Sequence, residues 1–118
     1  MSNVHTHHTI DYVELVAPDL EAAKAFYTAA FGWSLTDYGP DYAGIQGDGK
    51  EQGGLRRDGE VTGGGPLVVL YSDDIDASAA AVTAAGGKIV EPIYPFPGGR
   101  RFHFADPAGN VLAVWAAA

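Results

Sequence analysis

The segment Asp19–Ala22, with the sequence DLEA, decides the fold because a close copy, DIDA, returns at Asp74–Ala77, 55 positions later (19 to 74). The same offset relates the apolar run at 12–16 to the run at 67–71, and the glycine at 32 to the glycine at 87. One offset shared by a strand, a helix start and a helix end indicates an internal duplication. The glycine-rich stretch Gly63–Pro66 is the natural join between the halves.

Each half has the same predicted order of elements. In the first half, alternation predicts a strand at 10–17, and a helix follows with Asp19 as its N-cap and Gly32 at its C-terminal end. Short strands are predicted near 33–38, 42–46 and 53–57. The second half predicts a strand at 67–72, a helix at 75–85, and strands near 88–94, 100–105 and 110–116. The order βαβββ, used twice, is an α+β pattern.

The composition limits the function classes. The 118 residues are 47% apolar, which predicts a single domain over 1–118, with module one at about 9–62 and module two at about 66–117. The chain has no cysteine, so disulfides and thiolate metal sites are excluded. A net charge of −8 argues against nucleic acid as a partner. With no run of about 20 apolar residues and no signal-peptide pattern, we expect no membrane association and a cytoplasmic location.

Two motifs give the chain a resemblance to a known family. Phe26-Tyr27 followed by Phe31–Trp33 (FGW) resembles the helix end of vicinal oxygen chelate (VOC) modules, and Phe104–Asn110 (FADPAGN) resembles the hairpin before their last strand. The resemblance covers about residues 10–116 and is to the superfamily of glyoxalases, bleomycin-resistance proteins and dioxygenases, in the subgroup related to lactoylglutathione lyase. It implies two βαβββ modules that form a curved mixed sheet, or cup, with helices on the outer face and a small organic ligand inside.

The resemblance also implies where a metal ion would be held. Metalloenzymes of the superfamily place His and Glu ligands on the first and last strands of each module, at positions that correspond here to Tyr12, Leu67, Ala113 and a residue near Glu51. Leucine and alanine have no donor atom, and tyrosine is a poor ligand for these ions. We therefore expect no metal in the cup and no cofactor.

Strand alternation predicts which side chains line the cup. If Val13 and Leu15 face the helices, Tyr12 and Glu14 face the ligand. The predicted ligand-binding residues are Tyr12, Glu14, Val69, Tyr71, Arg101, His103, Ala113 and Trp115. An aromatic and apolar lining with a few polar groups is the usual make-up of a small-molecule site.

Glu14 and His103 are the candidate catalytic residues. A carboxylate among Val, Tyr and Trp is costly unless it is paired or protonated. Glu14 is therefore interpreted either as a base or ligand contact, or as a structural partner of Arg101 or a residue at a solvated rim of the cup. His103 is interpreted either as a proton shuttle near neutral pH or as a hydrogen-bonded strand residue.

Three further segments have two interpretations each. His5, His7 and His8 indicate a frayed terminus, with a non-standard metal site helped by Asp11 as the alternative. Gly53-Gly54 indicates a bulge or the close approach of a ligand. Tyr94–Gly99 is predicted as a rigid loop over the edge of the cup, with Phe96 as a lid or as a packed aromatic residue.

Three functions remain open. The first is a small-molecule-binding protein of the VOC type without the usual metal ligands, with lyase or isomerase activity as one form of it. The second is a binder that sequesters a cationic aromatic compound, as bleomycin-resistance proteins do. The third is a non-catalytic dimerisation module. In each case we expect a homodimer, with Trp33 and the strand edges as candidate contacts.

Overall fold

The computed structural model describes residues 4–59 and 65–118. The elements in these ranges are β1 (Ile10–Val16), α1 (Leu20–Phe31), β2 (Leu35–Asp37), β3 (Tyr42–Gln46), β4 (Glu51–Arg56), β5 (Leu67–Tyr71), α2 (Ile75–Ala84), β6 (Lys88–Phe96), β7 (Gly99–Ala105) and β8 (Val111–Ala117). They divide into two compact units. The first unit is Tyr12–Pro66, and the second unit combines the residues up to Asp11 with Leu67–Ala118. Gly63 and Gly64 of the predicted join lie outside the described residues.

The two units have the same strand order and the same directions. When each unit is given from its second strand in sequence, the order is β2-β3-β4-β1 in the first unit and β6-β7-β8-β5 in the second. Strand β1 runs parallel to β4, and β5 runs parallel to β8, while the remaining neighbours are antiparallel. Each unit is therefore a mixed sheet with one helix. This confirms the α+β fold of two βαβββ modules.

Helix α1 covers one face of the first unit's sheet. Its N-cap is Asp19, as predicted, whose side chain accepts a hydrogen bond from the Ala22 N–H at 3.0 Å. The helix ends at Gly32, whose φ of 70° is the left-handed conformation that glycine adopts without strain. The core on this face consists of Ala17, Leu20, Ala43, Ile45 and Leu55, with Leu15, Ala23, Tyr27, Trp33 and Leu35 packed against it.

Helix α2 covers one face of the second unit's sheet in the same way. Asp74 caps it by accepting from the Ala77 N–H at 3.1 Å. The core there consists of Ile75, Phe102, Val114 and Ala116, with Leu70, Ala79, Val82, Ile89, Ile93 and Phe104 packed against it. Because successive residues of a strand point to opposite faces of the sheet, the strand residues that alternate with these core residues lie, in both units, on the face away from the helix.

The predicted loop at Tyr94–Gly99 is wrong. Strand β6 continues to Phe96 and β7 begins at Gly99, so only Pro97 and Gly98 form the turn. The prolines did not end the strand, because β6 is the outermost strand in the order and a proline there can direct its missing N–H away from its neighbour. Gly98 has a φ of 125°, which suits the tight turn.

The predicted turn before the last strand is confirmed. The Asn110 side-chain amide donates to Asp106 Oδ2 at 2.9 Å, and the Asn110 and Ala108 N–H groups donate to Oδ1 at 2.8 and 2.9 Å, which lowers the pKa of that carboxyl. Trp33 stacks on Tyr27 at a centroid distance of 4.5 Å, inside its own unit, and the homodimer stays a prediction. Among the residues described, no helix is both long and apolar enough to span a membrane.

Candidate functional site

Five side chains of the first unit meet on the sheet face away from α1. Tyr12 and Glu14 lie on β1, on the face opposite Leu15 of the core, as alternation predicts. Tyr42 of β3, Glu51 of β4 and Tyr38 before β3 join them through hydrogen bonds. We call this set, Tyr12, Glu14, Tyr38, Tyr42 and Glu51, the tyrosine–glutamate face.

Hydrogen bonds on this face run from phenols to carboxylates. The Tyr42 hydroxyl donates to Glu14 Oε2 at 3.0 Å, and the Tyr38 hydroxyl donates to Glu51 Oε1 at 2.7 Å. Tyr12 lies between them, 2.7 Å from the Tyr42 hydroxyl and 3.2 Å from Glu51 Oε2. Because each phenol has one O–H and Tyr42 directs its own to Glu14, the Tyr12 proton goes to Tyr42 or to Glu51.

The phenols on this face keep their protons at neutral pH. Burial is the largest cause that raises the pKa of Tyr12, and the hydrogen bond with Tyr42 adds to it. Burial also raises the pKa of Tyr42, followed by the negative charge of Glu14. The hydrogen bond to Glu51 raises the pKa of Tyr38. The phenols therefore act as donors, and negative charge on this face belongs to the carboxylates.

Two glycines form the floor beneath these side chains. Gly54 lies opposite Glu14 in the parallel ladder and opposite Gly44 in the antiparallel one. A Cβ on Gly54 would overlap the Tyr42 hydroxyl, and a Cβ on Gly44 would overlap the Glu51 carboxylate. The close approach predicted at Gly53-Gly54 is thus made by the chain's own tyrosine. The pairing shift lies on the neighbouring strand, between Ile45 and Gln46.

Glu14 is buried, with 5% of its surface exposed, and is paired inside its own unit. Arg56 Nη1 donates to Glu14 Oε1 at 3.3 Å, while Tyr42 holds the other carboxylate oxygen. Arg56, two residues beyond Gly54 on β4, is therefore a cation in contact with Glu14, and the pairing of Glu14 with Arg101 stays a prediction. Removing one partner from such a pair leaves the other charge buried, at a large cost in desolvation free energy.

Six predicted site residues share one face of the second unit. The parallel ladder pairs Val69 with Ala113 and Tyr71 with Trp115, and the antiparallel ladder pairs Trp115 with Arg101 and Ala113 with His103. Their strand neighbours Leu70, Phe102 and Val114 pack in the core under α2. The set Val69, Tyr71, Arg101, His103, Ala113 and Trp115 therefore lies on the face away from α2, as predicted. Whether these residues bind a ligand stays a prediction.

Aromatic contacts organise this second face. Trp115 meets Tyr71 edge-on at 5.2 Å and Phe96 edge-on at 6.1 Å, and the Arg101 guanidinium lies 5.8 Å from the Phe96 ring centroid. Phe96 is thus a packed strand residue. His103 Nε2 is 3.1 Å from the Tyr94 hydroxyl, which supports the interpretation of a hydrogen-bonded strand histidine.

The frayed terminus predicted for the histidine segment is wrong. His5 Nδ1 is 2.8 Å from Asp11 Oδ1, and the His5 ring stacks on Tyr71 at 4.9 Å. The Trp115 indole N–H donates to the second Asp11 oxygen at 2.9 Å. Contacts with residues 66 to 104 positions away in sequence, which no local pattern encodes, hold this segment against the rest of the second unit.

His7 and His8 are held as well. His7 Nδ1 accepts from the Asp73 N–H at 2.8 Å, and His8 Nε2 is 3.0 Å from Ser78 Oγ. Within the described ranges, no group of three or more His, Asp or Glu residues is placed to hold a metal ion.

Sequence reasoning missed the importance of Tyr42, Tyr38 and Arg56. Arg56 follows Gly54 by two residues on the same strand, so alternation places both on one face of the sheet, and this spacing could have identified Arg56. Tyr38 and Tyr42 lie at the ends of the strands predicted near 33–38 and 42–46, and nothing in these positions indicates a site. Their role depends on which strand lies beside β1, and a single sequence does not give that pairing.

Comparison with known proteins places the chain in a family. The model of the Glyoxalase/Bleomycin resistance protein/Dioxygenase superfamily matches residues 9–114, and the chain belongs to this superfamily. Anthracycline biosynthesis protein DnrV of Streptomyces peucetius is 33% identical over 124 residues, covering 88% of this chain and 45% of that protein. Putative glyoxylase CFP32 of Mycobacterium bovis is 31% identical over 119 residues, covering 92% and 46%. The chain thus spans about half the length of these curated relatives.

A solved structure agrees with this placement. The Mn(II)-bound glyoxalase from Novosphingobium aromaticivorans matches with a TM-score of 0.69 and 28% identity, covering 93% of this chain and 39% of that one. Methylmalonyl-CoA epimerase from Mycobacterium tuberculosis matches with a TM-score of 0.72 at 17% identity, which indicates a shared fold.

Proposed function

We propose that this superfamily member binds a small organic ligand on the tyrosine–glutamate face, and that the ligand carries a positive charge. The observation that carries the proposal is the pair of carboxylates, Glu14 and Glu51, held by protonated phenols above a floor of two glycines. Because these glycines have no side chains, Tyr42 and Glu51 pack directly against the sheet, which fixes the positions of the polar groups.

The charge of this face favours a cation. Two carboxylates lie on it, and the Arg56 guanidinium is bound to one of them, Glu14. Glu51 accepts from neutral phenols, so its negative charge is not cancelled by them. Tyrosine rings add the negative potential of their faces, which attracts ammonium groups. The net charge of −8 works in the same direction at longer range.

We further propose that the ligand is bound without a divalent metal at the superfamily's usual positions. Tyr12 and Glu51 are close together, with the phenol oxygen 3.2 Å from Glu51 Oε2. The raised pKa of Tyr12 opposes the phenolate that a metal would need. Leu67 and Ala113, at the corresponding positions of the second module, have no donor atom. The residues present therefore do not fit such an ion.

The relatives support an aromatic ligand class. Two of the curated matches are named as anthracycline biosynthesis proteins, from two Streptomyces sources. A polycyclic aromatic ligand with a protonated amine would satisfy both the carboxylates and the tyrosine rings.

A fluorescence titration with two matched probes tests this proposal. We expect daunorubicin, an anthracycline with a protonated amine, to bind more tightly than its neutral aglycone. We expect Glu51→Gln to weaken daunorubicin binding about 10-fold, since a contact to a charged group is worth about 1.5 kcal/mol, and to leave the aglycone unchanged.

Glu21→Gln is the matched control, because it removes the same charge from the exposed surface of α1 in the same unit. The proposal fails if both probes bind equally well, or if the two variants change daunorubicin binding by the same factor.

A second candidate function is a lyase or isomerase. It is favoured by the relatives named putative glyoxylases and by the likeness to a Mn(II)-bound glyoxalase at 28% identity. Glu14 of the first unit, or alternatively His103 of the second unit, would be the group that transfers the proton. The contacts of Glu14 with Arg56 and Tyr42 oppose this role, because they stabilise the carboxylate in place. Turnover in a glyoxalase assay that Glu14→Gln abolishes, with or without added Mn²⁺, would favour the enzyme over the binder.

A further inference from the structure

An apolar pocket of about 320 Å³ lies beside α2 in the second unit. The pocket has room because α2 contributes Ala81 and the residue that caps its C-terminus is Ala85, both with small side chains. The lining consists of His8, Leu70, Ser78, Ala81, Val82, Ala85, Phe104 and Val114. A cavity of about 150 Å³ is enough to hold benzene, so this pocket has room for a short acyl chain or one ring.

The two polar residues of this lining are hydrogen-bonded to each other. His8 Nε2 is 3.0 Å from Ser78 Oγ, and Ser78 Oγ is 2.7 Å from the buried Ser72 Oγ. Ser72 Oγ accepts from the Asp74 N–H at 3.0 Å, and in one of the two hydrogen-bond arrangements its own O–H donates to Ser78. The Ser78 proton then points to His8, in the tautomer where Nε2 is the acceptor.

The backbone at His8 is unusual. Its φ is 61°, and among the described residues it is the one non-glycine residue with a positive φ. Such residues are uncommon and concentrate at functional sites. The His8 N–H donates to the Tyr71 carbonyl at 2.7 Å, which fixes this conformation and places the imidazole at the opening of the pocket.

We propose that Ser78 and His8 are a nucleophile–base pair that hydrolyses small carboxylic esters, with the acyl group held in the apolar pocket. This activity is separate from ligand binding on the tyrosine–glutamate face. A serine hydroxyl becomes a nucleophile when an adjacent base accepts its proton, and hydrogen-bond contact between them is the geometric requirement. The Ser72 hydroxyl stabilises negative charge that develops on Ser78 Oγ.

The reaction proceeds in two balanced steps. His8 Nε2 takes the Ser78 proton as Oγ bonds to the acyl carbon, and the ester C–O bond breaks so that the alcohol leaves with that proton. Water then attacks the acyl-serine while His8 accepts its proton. The carboxylic acid departs, and the proton returns to Ser78. Neither step changes an oxidation state.

Phenylmethylsulfonyl fluoride labelling and p-nitrophenyl ester hydrolysis test this proposal on the full chain. We expect peptide mapping by mass spectrometry to place the sulfonyl group on Ser78. We expect Ser78→Ala and His8→Gln each to lower p-nitrophenyl butyrate hydrolysis about 100-fold, the lower end of the effect of a general base. His7→Gln is the matched control, because His7 stacks on His8 at 3.7 Å but bonds to the Asp73 N–H. It should keep the wild-type rate.

A pocket variant separates the acyl site from a merely reactive serine. Ala81→Leu fills the pocket and should lower the ratio of the butyrate rate to the acetate rate about 10-fold, as expected when space for a few methylenes is lost. Labelling of wild-type protein at another residue, or butyrate hydrolysis that Ser78→Ala leaves unchanged, overturns the proposal. The labelling result decides even if Ser78→Ala does not fold.

Discussion

Gly54→Ala is the substitution that tests most directly how the tyrosine–glutamate face is built. The backbone of Gly54 lies outside the left-handed region, so alanine is compatible with it, and the added Cβ is the whole perturbation. That atom would occupy the position of the Tyr42 hydroxyl and lie 2.8 Å from the Tyr12 hydroxyl. Tyr42 must therefore move, and it loses its hydrogen bonds to Glu14 and Tyr12.

The expected cost follows from these two bonds. A hydrogen bond to a charged group contributes about 1.5–3 kcal/mol, and one between neutral groups about 1 kcal/mol. Alanine also lowers the conformational entropy of the unfolded chain, which raises the free energy of unfolding by about 0.5–1 kcal/mol. The net loss in the free energy of unfolding is about 2–3 kcal/mol, or roughly 10 °C in Tm for a chain of this size.

Urea and thermal unfolding followed by circular dichroism would measure this loss. The matched comparison is Gly54→Ala in a Tyr42→Ala background, where the obstructing side chain is gone. There the substitution should cost much less, so the two changes should not be additive. A Gly54→Ala protein that unfolds at the wild-type temperature would refute the reasoning, as would an equal cost in both backgrounds.

Three further outcomes are expected. The free energy of unfolding of the wild type should fall as pH rises above about 10, which is the pKa of tyrosine in the unfolded chain. The raised pKa of Tyr42 keeps a proton in the folded state that the unfolded chain releases. Tyr42→Phe should reduce the pH dependence of the urea midpoint, and an unchanged slope in this variant would contradict the reasoning. His5→Ala should speed hydrogen exchange at the Tyr71 amide, which donates to the Thr9 carbonyl, because it releases the segment that contains Thr9. His7 is exposed, and His7→Ala should leave this exchange rate unchanged. Equal exchange rates in the two variants would count against a docked segment. Phe102→Ala, at a fully buried core position, should cost about 3–5 kcal/mol in urea unfolding, and a loss under 1 kcal/mol would mean that this core is not packed as described.

Local chemistry was predictable wherever it depended on neighbours in sequence. The N-cap at Asp19 and the turn at Asp106 were both predicted, because a carboxylate one to four residues from free N–H groups has few other choices. Alternation also assigned Glu14 and Leu15 to opposite faces correctly. The loop predicted at Tyr94–Gly99 was too long, because a proline ends a strand only where its missing N–H would have to pair with a neighbouring strand.

The sequence by itself determined the duplicated βαβββ order, the caps and turns, and the face of each strand that meets its helix. The tertiary structure alone decided the partners across strands. The parallel register sets Gly54 beside Glu14, which brings in Arg56 and Tyr42 and makes the tyrosine–glutamate face. It also decided that His5 and His8 dock on Asp11 and Ser78. Register between strands about 40 residues apart is set by the packing of the whole core, and no short stretch of residues contains that information.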